Sequence, residues 1–165
     1  MMDQMTTDAT YQAYILLDVT IALALGGALG LEREWRKKPA GLRTNMIIAG
    51  SAAMLIALGR VVILDFQELM VAQGFGVDPI RMLHAVIVGV SFIGAGTILK
   101  STEGTTVKYL TTAATILMAA AIGMSIGLKQ YILGIGSTFI IIVVNYLFSR
   151  LNKYIHKIST YEDHE

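Results

Sequence analysis

The stretch "GLEREWRKKPAGLRT", residues 30–44, interleaves two carboxylates, Glu32 and Glu34, with Arg33, Arg36, Lys37, Lys38 and Arg43. Acids at the end of an apolar helix oppose the macrodipole and need cations or a metal beside them. Arg43 is the natural ion-pair partner, because Pro39 can begin the next helix and a short turn brings Arg43 back. The other chemistry open to this set is a hydrated Mg2+, which keeps most of its waters and binds through one or two carboxylates. Glu32 would be its anchor, with oxygens of Thr44, Asn45, Thr111 and Thr112 around it. Arg33 and Arg43 oppose a tight, bare-metal site there.

A third acid, Asp18, lies inside an apolar run, roughly 6 Å from its midpoint at 1.5 Å per residue. An ionised aspartate near the centre of a membrane helix costs about 2.5–3.5 kcal/mol, so it must face protein or water and find a partner. His84 sits at a similar depth with Arg81 one turn away, and a contact from Asp18 to one of them is expected. Asp18 is accordingly a second candidate metal ligand. Thr111, Thr112 and Thr115 follow one another at a helix start, where their hydroxyls can bond their own carbonyls. No nucleophile–base set, zinc-binding helix or phosphate loop is present, and His84, His156 and His164 are far apart, so no enzyme is expected.

The elements that must position these groups are membrane helices. Of the 165 residues, 55% are hydrophobic and 15% charged, and the mean hydropathy is +0.62. Soluble domains carry about a quarter charged residues. Five apolar runs, 13–31, 46–64, 82–99, 109–128 and 131–149, are each long enough to cross a hydrocarbon core of about 30 Å. An all-α membrane domain of five spanning helices is therefore expected over 1–165, with a tail from residue 150. The flank before the first run has two acids and no Lys or Arg, the reverse of a signal peptide, so the first helix is expected to be retained. There is no cysteine, which excludes disulfides and thiolate metal sites.

Charge distribution orients the bundle. If the loop after the first helix is cytoplasmic, ten of the thirteen Lys and Arg lie inside, leaving Arg60, Arg81 and Lys129 outside. Positive residues favour the inside, which predicts the N-terminus out and the C-terminus in. The same cations would meet anionic headgroups, and a nucleic-acid partner is not expected.

A shift of 68 residues lays Gly26, Leu31, Leu42, Thr44, Ile48, Ala52, Ala53 and Gly59 on Gly94, Leu99, Leu110, Thr112, Ile116, Ala120, Ala121 and Gly127. The first two hairpins thus read as a parallel repeat with the fifth helix added. Their elbows, 32–43 and 100–111, are expected to meet. Gly26-x-x-x-Gly30 and Gly123-x-x-x-Gly127 are close-packing signals, either within the chain or toward another membrane protein's helix.

The blocks "GLEREWRKKPAGLRTN", "DPIR", "FIGAGTIL" and "LTTAAT", in this order, resemble the MgtC/SapB/YhiD family of bacterial membrane proteins. The resemblance covers roughly Asp18 to Gly127. It implies an inner-membrane protein associated with magnesium homeostasis and growth at low Mg2+. It also implies a regulator that binds other membrane proteins, the F-type ATP synthase among them, with direct magnesium transport as the alternative. A homo-oligomer in the lipid bilayer is expected, with no cofactor unless Mg2+ itself binds. Carried over by motif, Glu32, Arg33, Glu34, Arg43, Thr44 and Asn45 come from the first block. Gly94, Gly96, Thr111, Thr112 and Ala113 come from the later ones. The chain departs from many virulence-type members at Thr111, where they have Asn, at "VKY" in place of "VRG", and at Asp18, where a basic residue is common. Those members also carry a C-terminal domain of the ACT type, whereas the membrane core alone is expected here.

Overall fold

In the computed structural model, residues 9–72, 78–99 and 109–162 are described, with side chains over 9–66, 78–99 and 109–148. They form five helices and, among the described residues, no strand: α1 (Ala9–Trp35), α2 (Leu42–Ala72), α3 (Ile80–Leu99), α4 (Leu110–Gly127) and α5 (Tyr131–Glu162). Each contains a window long and apolar enough to cross a membrane.

Four helices outrun their expected bounds, α3 by two residues at its start. α1 continues four residues past Leu31 through Glu32–Trp35, α2 continues into what reads as loop, and α5 runs through the polar tail. Hydropathy marks only the part of a helix that sits in hydrocarbon. Backbone hydrogen bonding carries the helix on into the interface, where charged side chains are cheap.

Two of the helix ends share one device. After α1, Lys38 N–H bonds Arg33 O at 3.0 Å and Lys37 N–H bonds Glu34 O at 3.0 Å, with Lys37 at φ 52°. After α4, Gln130 N–H bonds Ser125 O and Lys129 N–H bonds Ile126 O, both at 2.8 Å, with Lys129 at φ 63°. These are Schellman caps in which lysine holds the left-handed position that glycine usually fills. A non-glycine residue there costs about 1–2 kcal/mol, so something must hold each in place.

α4 is the centre of the bundle. It packs on α1, α2, α3 and α5, and more than half of it is buried although it is the shortest helix. Between hairpins, α2 crosses α4, α1 reaches α4 and α3 reaches α2. The repeat extends to single contacts: Gly26 faces Asn45 on α2, and its counterpart Gly94 faces Ala113, the counterpart of Asn45. Residues 100–108, on which the meeting of the two elbows depends, lie outside the described residues.

Glycine sets the interhelical distances. A methyl group at Gly123 would overlap the Ala49 carbonyl oxygen, and one at Gly127 would lie 2.7 Å from Ala53 O. Gly26 and Gly30 bring α1 equally close to Asn45 and Gly41. Both glycine pairs are thus occupied by the chain's own helices. Between membrane helices there is no hydrophobic drive, so these close approaches gain their stability from dispersion. Gly96 and Gly89, by contrast, have open space above them.

Gly123→Val should therefore destabilise the bundle by about 1–3 kcal/mol or prevent its folding, as overpacking does. Gly96→Ala should change stability by less than about 0.5 kcal/mol. Reversible denaturation in mixed micelles separates the two, and equal effects would contradict this packing.

Candidate functional site

Among the described residues, both buried charged side chains lie on one face of α1. Asp18, Ala22, Gly26, Leu29 and Arg33 succeed one another at intervals of three or four residues, and all are buried. That spacing is one helical stripe, and the fifteen residues from Asp18 to Arg33 set the charges roughly 22 Å apart. They serve opposite ends of the bundle.

At one end Arg33, only 3% exposed, spans three segments. Its Nη2 donates to Thr112 Oγ1 at 2.7 Å and its Nη1 to Thr115 Oγ1 at 3.0 Å, both on α4. Nε and Nη2 also donate to Pro39 O, at 3.3 and 3.1 Å, in the α1–α2 elbow. The planar fork of a guanidinium meets acceptors on two sides at once, which a lysine ammonium on a single point cannot. Arg33 also ends α1, where the macrodipole favours a cation. Thr115 makes the expected bond to its own helix, to Thr111 O at 2.8 Å, while its lone pairs receive Arg33.

The two glutamates are placed differently from the expectation that both rely on Arg43. Glu32 pairs with Arg36 one turn on and accepts a 3.4 Å bond from Asn145 of α5. Glu34 accepts from Leu42 N–H at 2.8 Å, so its carboxylate caps the N-terminus of α2, the positive end of that dipole. A side chain at Gly41 would collide with it. Arg43 and Thr44, on the first turn of α2, face outward and are exposed. Asn45 is buried and donates to Ala40 O at 2.6 Å and Gly41 O at 2.9 Å, tying the elbow to α2. Its Oδ1 is buried with no hydrogen-bond partner.

At the other end, the expected contact of Asp18 with His84 or Arg81 is not made. Asp18, 1% exposed, is ion-paired with Lys129 and accepts from Tyr131 Oη at 2.7 Å. Arg81 faces Asp78 at 3.6 Å on the surface, and His84 is exposed on α3. The reason is lateral: α3 makes no packing contact with α1 among the described residues, whereas α5 does. Depth along the membrane was shared by both candidates, but depth does not say which helix is the neighbour. A signal existed in the pairing of cations. Arg60 donates to Gly127 O at 3.0 Å, at the negative end of α4, and Arg81 has Asp78, which leaves Lys129 for Asp18.

Burial lowers the Lys129 ammonium's pKa, but the hydrogen bond and charge of Asp18, with Tyr131, outweigh it and hold it above lysine's ordinary value. The pair also explains why a lysine tolerates the left-handed position after α4.

Asp18 and Glu32 do not form one metal site. They stand fourteen residues apart on α1, roughly 21 Å, and each carboxylate already faces a cation. Thr112, proposed as an oxygen donor beside Glu32, accepts from Arg33 instead. Among the described residues no three His, Asp or Glu side chains converge. Gly94 packs on Ala113, while Gly96 and Thr111 are open to the surroundings.

Two outcomes follow from this geometry. Thr112→Val should cost about 1–3 kcal/mol, because it strands a buried guanidinium donor. Its effect should shrink in an Arg33→Met background, and additivity in that double-mutant cycle would show that the bond carries nothing. Raising the folded-state pKa of Lys129 means that its stabilisation is complete at neutral pH and is lost as pH climbs past lysine's ordinary value, about 10.4. The melting temperature in detergent should therefore fall more steeply above about pH 10.4 in the native chain than in Asp18→Asn.

With the geometry in place, comparison with known proteins assigns the chain. The family model described as "MgtC family" matches residues 19–154. The chain is 37% identical over 139 residues to "Putative magnesium transporter YhiD" of Escherichia coli K12, covering 84% of this chain and 62% of that protein. It is 36% identical over 132 residues to "Protein MgtC" of Salmonella typhimurium LT2, covering 80% of this chain and 51% of that one. It is 34% identical over 141 residues to the uncharacterised slr0014 of Synechocystis, at 86% and 55% coverage. The chain thus spans about half to three-fifths of the length of these relatives. No solved structure matches. Five spanning helices and a family match over most of its length together establish a multi-pass membrane protein that belongs to the MgtC family.

Proposed function

We propose that this chain is a non-enzymatic, non-conducting membrane protein that serves magnesium homeostasis by contacting other membrane proteins. In this reading it sits in a bacterial inner membrane with the Arg33 end toward the cytoplasm, as the distribution of Lys and Arg supports. The single observation that carries it is the buried Arg33 guanidinium, wedged between the α1–α2 elbow and the start of α4. A cation following the line between the two hairpins would meet that fixed positive charge at one end. It would then meet the crossing of α2 and α4, where glycine leaves no space between backbones.

The surfaces available for contact are on the outside. Phe92 on α3 and Ile132 on α5 are 82% and 91% exposed, and the Lys37, Lys38 and Arg43 side chains stand free of the core at the basic end. Other membrane proteins, including a rotary ATP synthase as the family resemblance implies, or a second copy of the chain, would dock there. The glycine pairs are not available for docking, being filled from within. The name of the Escherichia coli relative, a magnesium transporter, favours a second reading, a magnesium permease whose path would have to lie between copies.

Liposomes loaded with a magnesium-sensitive dye distinguish the readings. The expected result is no saturable flux above that of protein-free vesicles. Robust saturable flux, abolished by Glu32→Gln, would overturn the proposal in favour of the permease.

A further inference from the structure

A cleft of about 540 Å³ lies between α1 and α5 at the Arg33 end. Its depth is apolar, with Ala28 and Leu31 of α1 facing Ile142 and Val143 of α5. Its mouth is not: Glu32 and Arg36 line it as an ion pair, partly exposed, and Asn145 of α5 reaches Glu32 from the other side. Trp35 and Tyr146 flank that mouth and are 83% and 53% exposed. Aromatic residues at one level on two neighbouring helices mark the membrane interface. From Ala28 to Trp35 the helix rises roughly 10 Å, so the cleft runs from the headgroup level into the hydrocarbon.

We infer that this cleft binds one molecule of a zwitterionic, amine-bearing glycerophospholipid, of the phosphatidylethanolamine type. An acyl chain lies along Leu31 and Val143, the phosphate meets the Arg36 guanidinium, and the primary ammonium meets the Glu32 carboxylate. Charge complementarity selects this occupant. The cleft presents one anion and one cation side by side, and the headgroup carries the matching pair in reverse. A purely anionic headgroup would satisfy Arg36 but set a second negative charge against Glu32, and like charges brought together are strongly disfavoured. A choline headgroup has the right charges, yet its quaternary nitrogen has no N–H to donate. A partner's apolar helix would have to bury the Glu32–Arg36 pair, whose desolvation is costly. The site goes beyond the regulatory reading above and does not depend on it, because lipid binding is measured without any partner or ion flux.

The test is native mass spectrometry of the detergent-purified full chain, titrated separately with phosphatidylethanolamine, phosphatidylcholine and phosphatidylglycerol of identical acyl chains. Glycerophosphoethanolamine, the headgroup without chains, is the fourth ligand. Phosphatidylethanolamine should be retained most strongly and the chainless headgroup not at all. Glu32→Gln should erase the preference over phosphatidylglycerol, and Arg36→Gln should weaken all three lipids. Val143→Trp, which fills the cleft and leaves both charges in place, should weaken phosphatidylethanolamine binding by about tenfold, 1.4 kcal/mol. It also keeps the test open if a charge variant does not fold. Equal retention of the three lipids, binding of the bare headgroup, or unchanged binding in Val143→Trp would each overturn the assignment.

Discussion

The contact of the Gly123 backbone with the Ala49 carbonyl is the constraint on which the rest of the bundle depends. It brings α2 and α4 together at the centre, so α1 can touch α4 and α3 can touch α2 across the boundary between hairpins. Lipid supplies no reason for apolar helices to associate, and a side chain at the crossing would hold them apart. Only a surface without side chains lets the backbones gain the many small dispersion contacts that hold such a pair. The buried Ala49, Ala52 and Ala53 of α2 continue that surface beneath Gly123 and Gly127.

Once α1 lies on α4, its two charges can be resolved within the protein. Neither could be left facing hydrocarbon. Arg33 is answered by oxygens without charge, two threonine hydroxyls and a prolyl carbonyl, which join the elbow of the first hairpin to the start of α4. Asp18 is answered by Lys129 and Tyr131, which join the start of α5 to α1. One helix thus fixes α4 and α5, each through a single charged group. The charges act as register marks: sliding α1 by one turn along α4 would strand both at once.

The same economy shapes the basic end. Glu34 caps α2, Glu32 pairs with Arg36, and Asn45 ties down the carbonyls of the turn, so both acids of the motif help to build the elbow. What is left outward is cationic and aromatic: Arg43, Lys37, Lys38 and Trp35. This rim and the apolar faces of α3 and α5 around Phe92 and Ile132 are exposed.

The five helices and their order were legible from the sequence, because hydrocarbon thickness sets a minimum apolar length. That Asp18 needed a partner was legible too, since a buried charge has no other way to persist; that Arg33 would be buried was not. The partners were not. Asp18 was matched to His84 and Arg81 by depth alone, and Glu32 to Arg43 by nearness in the chain. Depth and chain distance are one-dimensional, whereas a partner is chosen by which helix lies alongside. α5 rather than α3 lies against α1, and α4 rather than α2 offers its threonines to Arg33. The sequence by itself determined which segments span and which groups demand an answer; only the lateral arrangement of the helices, set by close backbone contact, decided what answers them.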